Sequence, residues 1–259
     1  HSQKIPIVTG LSELCKGHVA AKQASLANSA PALLPILFKL VTTPACGDAK
    51  SENQQQKQCI ARAISNVARV CPPSHVEALF QKLMHKTLDA INTAENTSAD
   101  TKCDLLLLAQ ALVASEVLEQ KSVDFLFRVL KSFCEDDEHG ARAQKRAYNV
   151  LLSICTNYHS FVVDESRVEI LIDLLYRTTI SSHVASRYWR LSCLLAILQG
   201  DETPDAKIRV SSILGVCYFS QSYRIIAFFD SRFRRNATLH KGCEQENSRS
   251  GILLFGDLA

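Results

Sequence analysis

Apolar residues recur along this chain at intervals of three and four, the spacing that places them on one face of an α-helix. Residues 10–25 carry Leu11, Leu14, Cys15, His18 and Val19 in that register. Residues 32–41 repeat it with Leu33, Leu34, Leu37, Phe38 and Val41, and Pro31 suits the first helical turn, where its missing N–H is not required. A polar loop over 43–52 precedes a helix over 54–70 built on Ile60, Ile64, Val67 and Ala68. Pro72 and Pro73 end it, and Ser74 is placed to cap a helix over 75–91, with Val76, Leu79, Phe80, Leu83 and Leu88 inward. After a polar break, Ser98 caps a helix that runs to 113. Its leucines 105–108 are apolar on every side, which predicts cover from neighbouring helices. Residues 123–134 pair with it through Phe125, Leu126, Val129, Leu130 and Phe133.

The pattern is clearest over 141–198. One helix buries Ala147, Leu151, Ile154, Cys155 and Tyr158 and turns Arg142, Lys145, Arg146, Asn149 and Ser153 the other way. A second buries Val168, Leu171, Ile172 and Leu175, with Asp173 and Arg177 at i,i+4 on its outer face. A third opens at Ser181 or Ser182, turns Val184, Tyr188, Leu191, Leu195 and Leu198 inward, and ends at Gly200.

Comparable first-helix positions are Cys59, Cys103, Lys145 and Arg187, at steps of 44, 42 and 42 residues. That is the period of HEAT and armadillo repeats, in which stacked helix pairs build one continuous core. The expected fold is all-α, an α-solenoid over 1–200 with pairs near 10–42, 54–91, 98–134 and 140–178 and a further helix over 182–199. An ordinary helical bundle with coincidental spacing is the competing arrangement. After Gly200 the pattern degrades, so 201–259 is expected to be an atypical, irregular tail. From about 208 it is β-branched and aromatic, which predicts a segment that is not a native repeat. The start at His1 predicts a fragment or a processed product.

Composition changes this picture little. The 259 residues are 47% hydrophobic and 21% charged, with few Gly and Pro, which favours helices over a turn-rich sheet. A net charge of +3 does not by itself mark a nucleic-acid binder. The ten cysteines are scattered with no C-x-x-C pair, and most are expected to be small buried hydrophobes. Residues 210–229 are interrupted by Gln221 and Arg224 and are not expected to span a membrane. The sequons at Asn96 and Asn236 are read as chance matches.

No nucleotide-binding, zinc-protease or serine-hydrolase motif occurs, so no catalytic, cofactor or metal residue is expected, and no small-molecule substrate. The acidic run 135–138 is better suited to the helix that follows than to a metal, because adjacent carboxylates do not converge on one ion. The candidate contact residues are basic. Arg142, Lys145 and Arg146 stand at i, i+3 and i+4, and Arg187 and Arg190 occupy corresponding positions one repeat later. Stacked helices would align them into a ridge for phosphates or an acidic partner, against the alternative of a solvated polar face. Trp189 stands among the arginines, where exposure would let it stack.

The segment Lys145-Arg146-Ala147-Tyr148-Asn149-Val150-Leu151 resembles a recurrent helix of the ribosomal RNA-processing protein 12 family, large HEAT-repeat factors of ribosome assembly. Arg190-Leu191-Ser192-Cys193-Leu194-Leu195 resembles the corresponding part of the next repeat. The resemblance covers 141–198 best, reaches back more weakly to Gln54 and excludes the tail. It implies a non-enzymatic nuclear and nucleolar scaffold, shuttling to the cytoplasm, that supports rRNA processing and subunit maturation or export. Its implied partners are pre-ribosomal particle proteins and rRNA. The competing function is a karyopherin-like transport adaptor that binds proteins only.

Overall fold

The computed structural model describes residues 4–20, 27–43, 50–93, 97–135, 139–181 and 183–200, all within the first of the two units into which the chain divides, His1–Val210. The expected tail lies outside the described residues. Ten helices occur among the described residues: α1 (Lys4–Ala20), α2 (Ala30–Thr42), α3 (Lys50–Val70), α4 (Pro73–Asn92), α5 (Ala99–Val113), α6 (Gln120–Glu135), α7 (Gly140–Asn157), α8 (His159–Val163), α9 (Glu165–Ser181) and α10 (Val184–Gly200). No strand occurs among the described residues, so the fold is all-α as expected.

The helices pack in two rows. In the first, α1 lies against α3, α3 against α5, α5 against α7 and α7 against α10. In the second, α4 meets α6 and α6 meets α9. Each second-row helix also covers the first row: α2 packs on α3, α4 on α5, α6 on α7 and α9 on α10. The leucines 105–108 of α5 are buried on all sides for this reason, with α3 and α7 flanking them and α4 behind. Fully enclosed Phe80, Phe133, Tyr148 and Phe161 fill the space between the rows.

The local signals read from sequence are mostly realised. Ser98 caps α5, its side chain accepting from Thr101 N at 3.1 Å. The expected inward residues of α7 and α9 are buried, and Asp173 meets Arg177 at 2.7 Å. The described cysteines carry no disulfide, and all but the half-buried Cys59 are buried.

Four details differ. The Ser74 cap is not used, because Pro73 already occupies the first turn and Pro72 is the flanking residue. α3 begins at Lys50, inside the expected loop. α1 begins at Lys4 and buries Val8, Ser12 and Cys15, leaving Leu14 exposed. In α10, which still includes Gly200, Val184 is 77% exposed, and Tyr188 and Leu195 are only half-buried. The buried residues there are Ser186, Arg190, Leu191, Cys193, Leu194, Ala196 and Ile197, so of the expected set Leu191 is buried. Two of those positions are polar, so counting apolar residues places the face about one residue out of register.

Polar contacts tie helices that are not adjacent in the chain. Glu77 of α4 accepts from Glu119 N at 2.5 Å and from Ser122 Oγ at 2.6 Å, which caps the start of α6. Tyr158 Oη accepts from Leu118 N at 3.1 Å beside it. Arg69 reaches Ala114 O at 2.9 Å and Glu116 at 3.0 Å. Arg167 grips Asp124 through Nε at 2.9 Å and Nη2 at 3.0 Å. Gln144 accepts from His183 N at 2.9 Å, at the start of α10. The sequence separations in this set run from 39 to 47 residues. Contacts of this separation recur along the described residues, and Glu77 and Gln144 accept the N–H groups that open α6 and α10.

Candidate partner-binding surface

The five basic residues singled out from sequence do not share one environment. Lys145 on α7 and Arg187 on α10 are exposed, on adjacent first-row helices. Arg142 is exposed but pairs with Asp100, one repeat back, at 2.5 Å. Arg146 is half-buried, and its Nη1 lies 3.5 Å from Gln110 Oε1. Desolvation lowers its pKa from the ordinary guanidinium value.

Arg190 must be removed from the ridge. It is 3% exposed and donates from Nη1 to Leu175 O of α9 at 2.7 Å. Burial of its stem and a charge-assisted bond to a carbonyl make it a tie between α9 and α10. The expected row of five cations thus reduces to exposed Lys145 and Arg187, with Arg142 beside them in an ion pair.

A feature missed in the sequence lies on the same row of helices. A groove of about 620 Å³ crosses α1, α3, α5, α7 and α10. Its walls carry side-chain amides one repeat apart: Asn66 of α3, Gln110 of α5 and Asn149 of α7. Asn66 Nδ2 donates to Ser12 Oγ at 2.8 Å, and Gln110 Nε2 donates to Asn149 Oδ1 at 3.3 Å. Arg62 and Arg146 face the same space, as does Trp189, the one tryptophan of the chain. The sequence did hold a signal for this. Gln110 is a lone amide within the otherwise apolar run LLLLAQALV, one repeat after Asn66 and one before Asn149.

The chemistry offered is recognition by charge and hydrogen bonding. Burial raises the thiol pKa of Cys15, Cys71, Cys103, Cys134 and Cys193, which keeps them protonated and poorly nucleophilic. Among the described residues no group of His, Cys, Asp and Glu is arranged to hold a metal ion. No described helix is long and apolar enough to cross a membrane. The remaining basic and amide groups can bind anions and peptide or base edges. No protein-family model matches the chain, and comparison with curated proteins gives no match.

Proposed function

We propose that this chain is part of a non-enzymatic α-solenoid scaffold of HEAT-like repeats that supports rRNA processing and ribosomal subunit maturation or export. The recurrence of polar contacts one repeat apart supports the stacked-repeat reading. Most side-chain contacts between non-adjacent helices join residues 36–47 apart, a recurrence that an irregular bundle gives no reason to expect. The ribosomal assignment rests on the resemblance of the Lys145–Leu151 and Arg190–Leu195 segments. In this reading Lys145 and Arg187 contact rRNA phosphates or an acidic assembly partner from neighbouring repeats.

The burial of Arg190 and the pairing of Arg142 leave fewer free cations than a strong RNA binder would present. That observation favours the second reading, a karyopherin-like transport adaptor that binds proteins only. Affinity purification of the tagged full-length protein, followed by sequencing of the RNA it carries, separates the two. The scaffold reading expects precursor rRNA enriched over an untagged control. Recovery of proteins with no rRNA enrichment supports the adaptor and overturns the ribosomal assignment.

A further inference from the structure

The basic residues of this chain fall into two groups by their partners. Arg69, Arg142, Arg167 and Arg177 each meet a carboxylate, and Lys57 meets Asp104 at 2.5 Å. These cations are neutralised within the fold. Arg62 and Arg146 in the groove meet none among the described residues, although Arg146 is half-buried. The other charged groove residues, Lys16 and Glu13, pair with each other at 2.7 Å. The groove therefore keeps two guanidinium groups without an ion-pair contact among the described residues, one of them partly desolvated and offset only at a distance by Asp104, which Lys57 already pairs. A partly desolvated cation gains most from an opposite charge that arrives already ordered by other contacts.

We infer that the groove across α1, α3, α5, α7 and α10 is a binding site for an extended acidic peptide segment. Arg62 and Arg146 would receive its carboxylates. The Asn149 amide would donate to its backbone and Gln110 Oε1 would accept from it, since Gln110 Nε2 already donates to Asn149 Oδ1 and Ser153 Oγ within the fold. Trp189 would cover one apolar side chain at the α10 end. Four helix-to-helix steps of about 9 Å span roughly 35 Å, the reach of about ten extended residues.

The lining also favours peptide over single-stranded RNA. Binding of a bare nucleic-acid strand depends on a series of aromatic platforms, and among the described residues this groove has Trp189 as its single aromatic side chain. The inference rests on the stacked-repeat reading and is independent of the ribosomal assignment.

Trp189 supplies the measurement, because all tryptophan emission of the full chain comes from the groove. The probes are a fluorescein-labelled decapeptide pool with Glu fixed at alternate positions, the same pool with Gln there, and decauridylate. The Glu pool is expected to change Trp189 emission saturably and the Gln pool to leave it unchanged. Arg62→Gln is expected to weaken the Glu pool severalfold, and Arg62→Gln with Arg146→Gln at least tenfold, with the helical circular dichroism retained. Arg128→Gln, an exposed position on α6 away from the groove, is expected to leave it unaltered. The inference is overturned by no saturable change with the Glu pool, by equal binding of both peptide pools, or by decauridylate binding that Arg62→Gln abolishes. A Glu pool that fails while precursor-rRNA enrichment persists sinks the groove site alone. A pool that binds without such enrichment sinks the ribosomal assignment alone.

Discussion

Gln144 of α7 accepts at 2.9 Å from the backbone N–H of His183, the residue before α10, while its own amide donates at 3.2 Å to Cys134 O at the end of α6. One buried side chain thus satisfies the start of one helix and the end of another across a repeat boundary. Gln144→Leu would keep the volume and strand both groups. It is expected to cost about 2–3 kcal/mol and to lower Tm by several degrees. Thermal unfolding followed by circular dichroism checks this, and an unchanged Tm would show that the bridge contributes nothing.

The Arg167–Asp124 contact makes a second test of stacking. It is bidentate, and both side chains are about a quarter exposed. A double-mutant cycle with Arg167→Gln and Asp124→Asn should give a coupling of about 1 kcal/mol. Urea denaturation of the four proteins measures it. Additive single-mutant losses would mean that the two repeats are not joined there.

Buried Tyr158 makes stability fall at alkaline pH. Burial pushes its hydroxyl up from 10.0 to about 12, although its bond from Leu118 N opposes the shift. The folded state therefore holds its proton more tightly than the unfolded chain. This contribution is intact below pH 10 and is lost as pH rises from 10 toward 12. The buried Tyr148 hydroxyl and the Cys134 and Cys193 thiols shift in the same direction for the same reason. Unfolding free energy from urea titrations should drop over that window, and Tyr158→Phe should shrink the drop. A pH-independent free energy up to 12 would contradict this environment.

Arg190 separates structure from recognition. With its guanidinium bonded to Leu175 O inside the fold, Arg190→Gln is expected to lower stability by about 2–3 kcal/mol. It should leave RNA affinity per folded molecule unchanged. Denaturation midpoints and filter binding check the two halves. Weakened RNA affinity in a fully folded variant would return Arg190 to the contact surface.

The helices were legible because most carry their own local signals, such as the Ser98 cap, Pro31 and Pro73 in first turns, and apolar stripes at helical spacing. Every residue expected inward on α7 and α9 is buried, but Ala143, Gln144, Tyr148 and Val150 of α7 and Leu174 and Thr178 of α9 are buried as well. α10 was misread, because its inward stripe includes Ser186 and Arg190, and an arginine that bonds a carbonyl counts as surface in any hydropathy pattern. The five-residue ridge failed for the same reason. Helical periodicity gives the angle of a side chain around its helix, but not whether a neighbour covers it. The groove was missed because its residues lie on five helices, and the lone amide Gln110 in an apolar run marks only one of them.

The account turns on whether neighbouring repeats present one recognition surface, and Lys145 and Arg187 test that most directly. Binding of the full chain to a structured precursor-rRNA fragment should be measured across a salt series for wild type, Lys145→Gln, Arg187→Gln and the double variant. The account predicts that each substitution weakens binding, and that the double variant flattens the salt dependence by about one to two released counterions. Unchanged affinity and an unchanged salt slope in the double variant would contradict it.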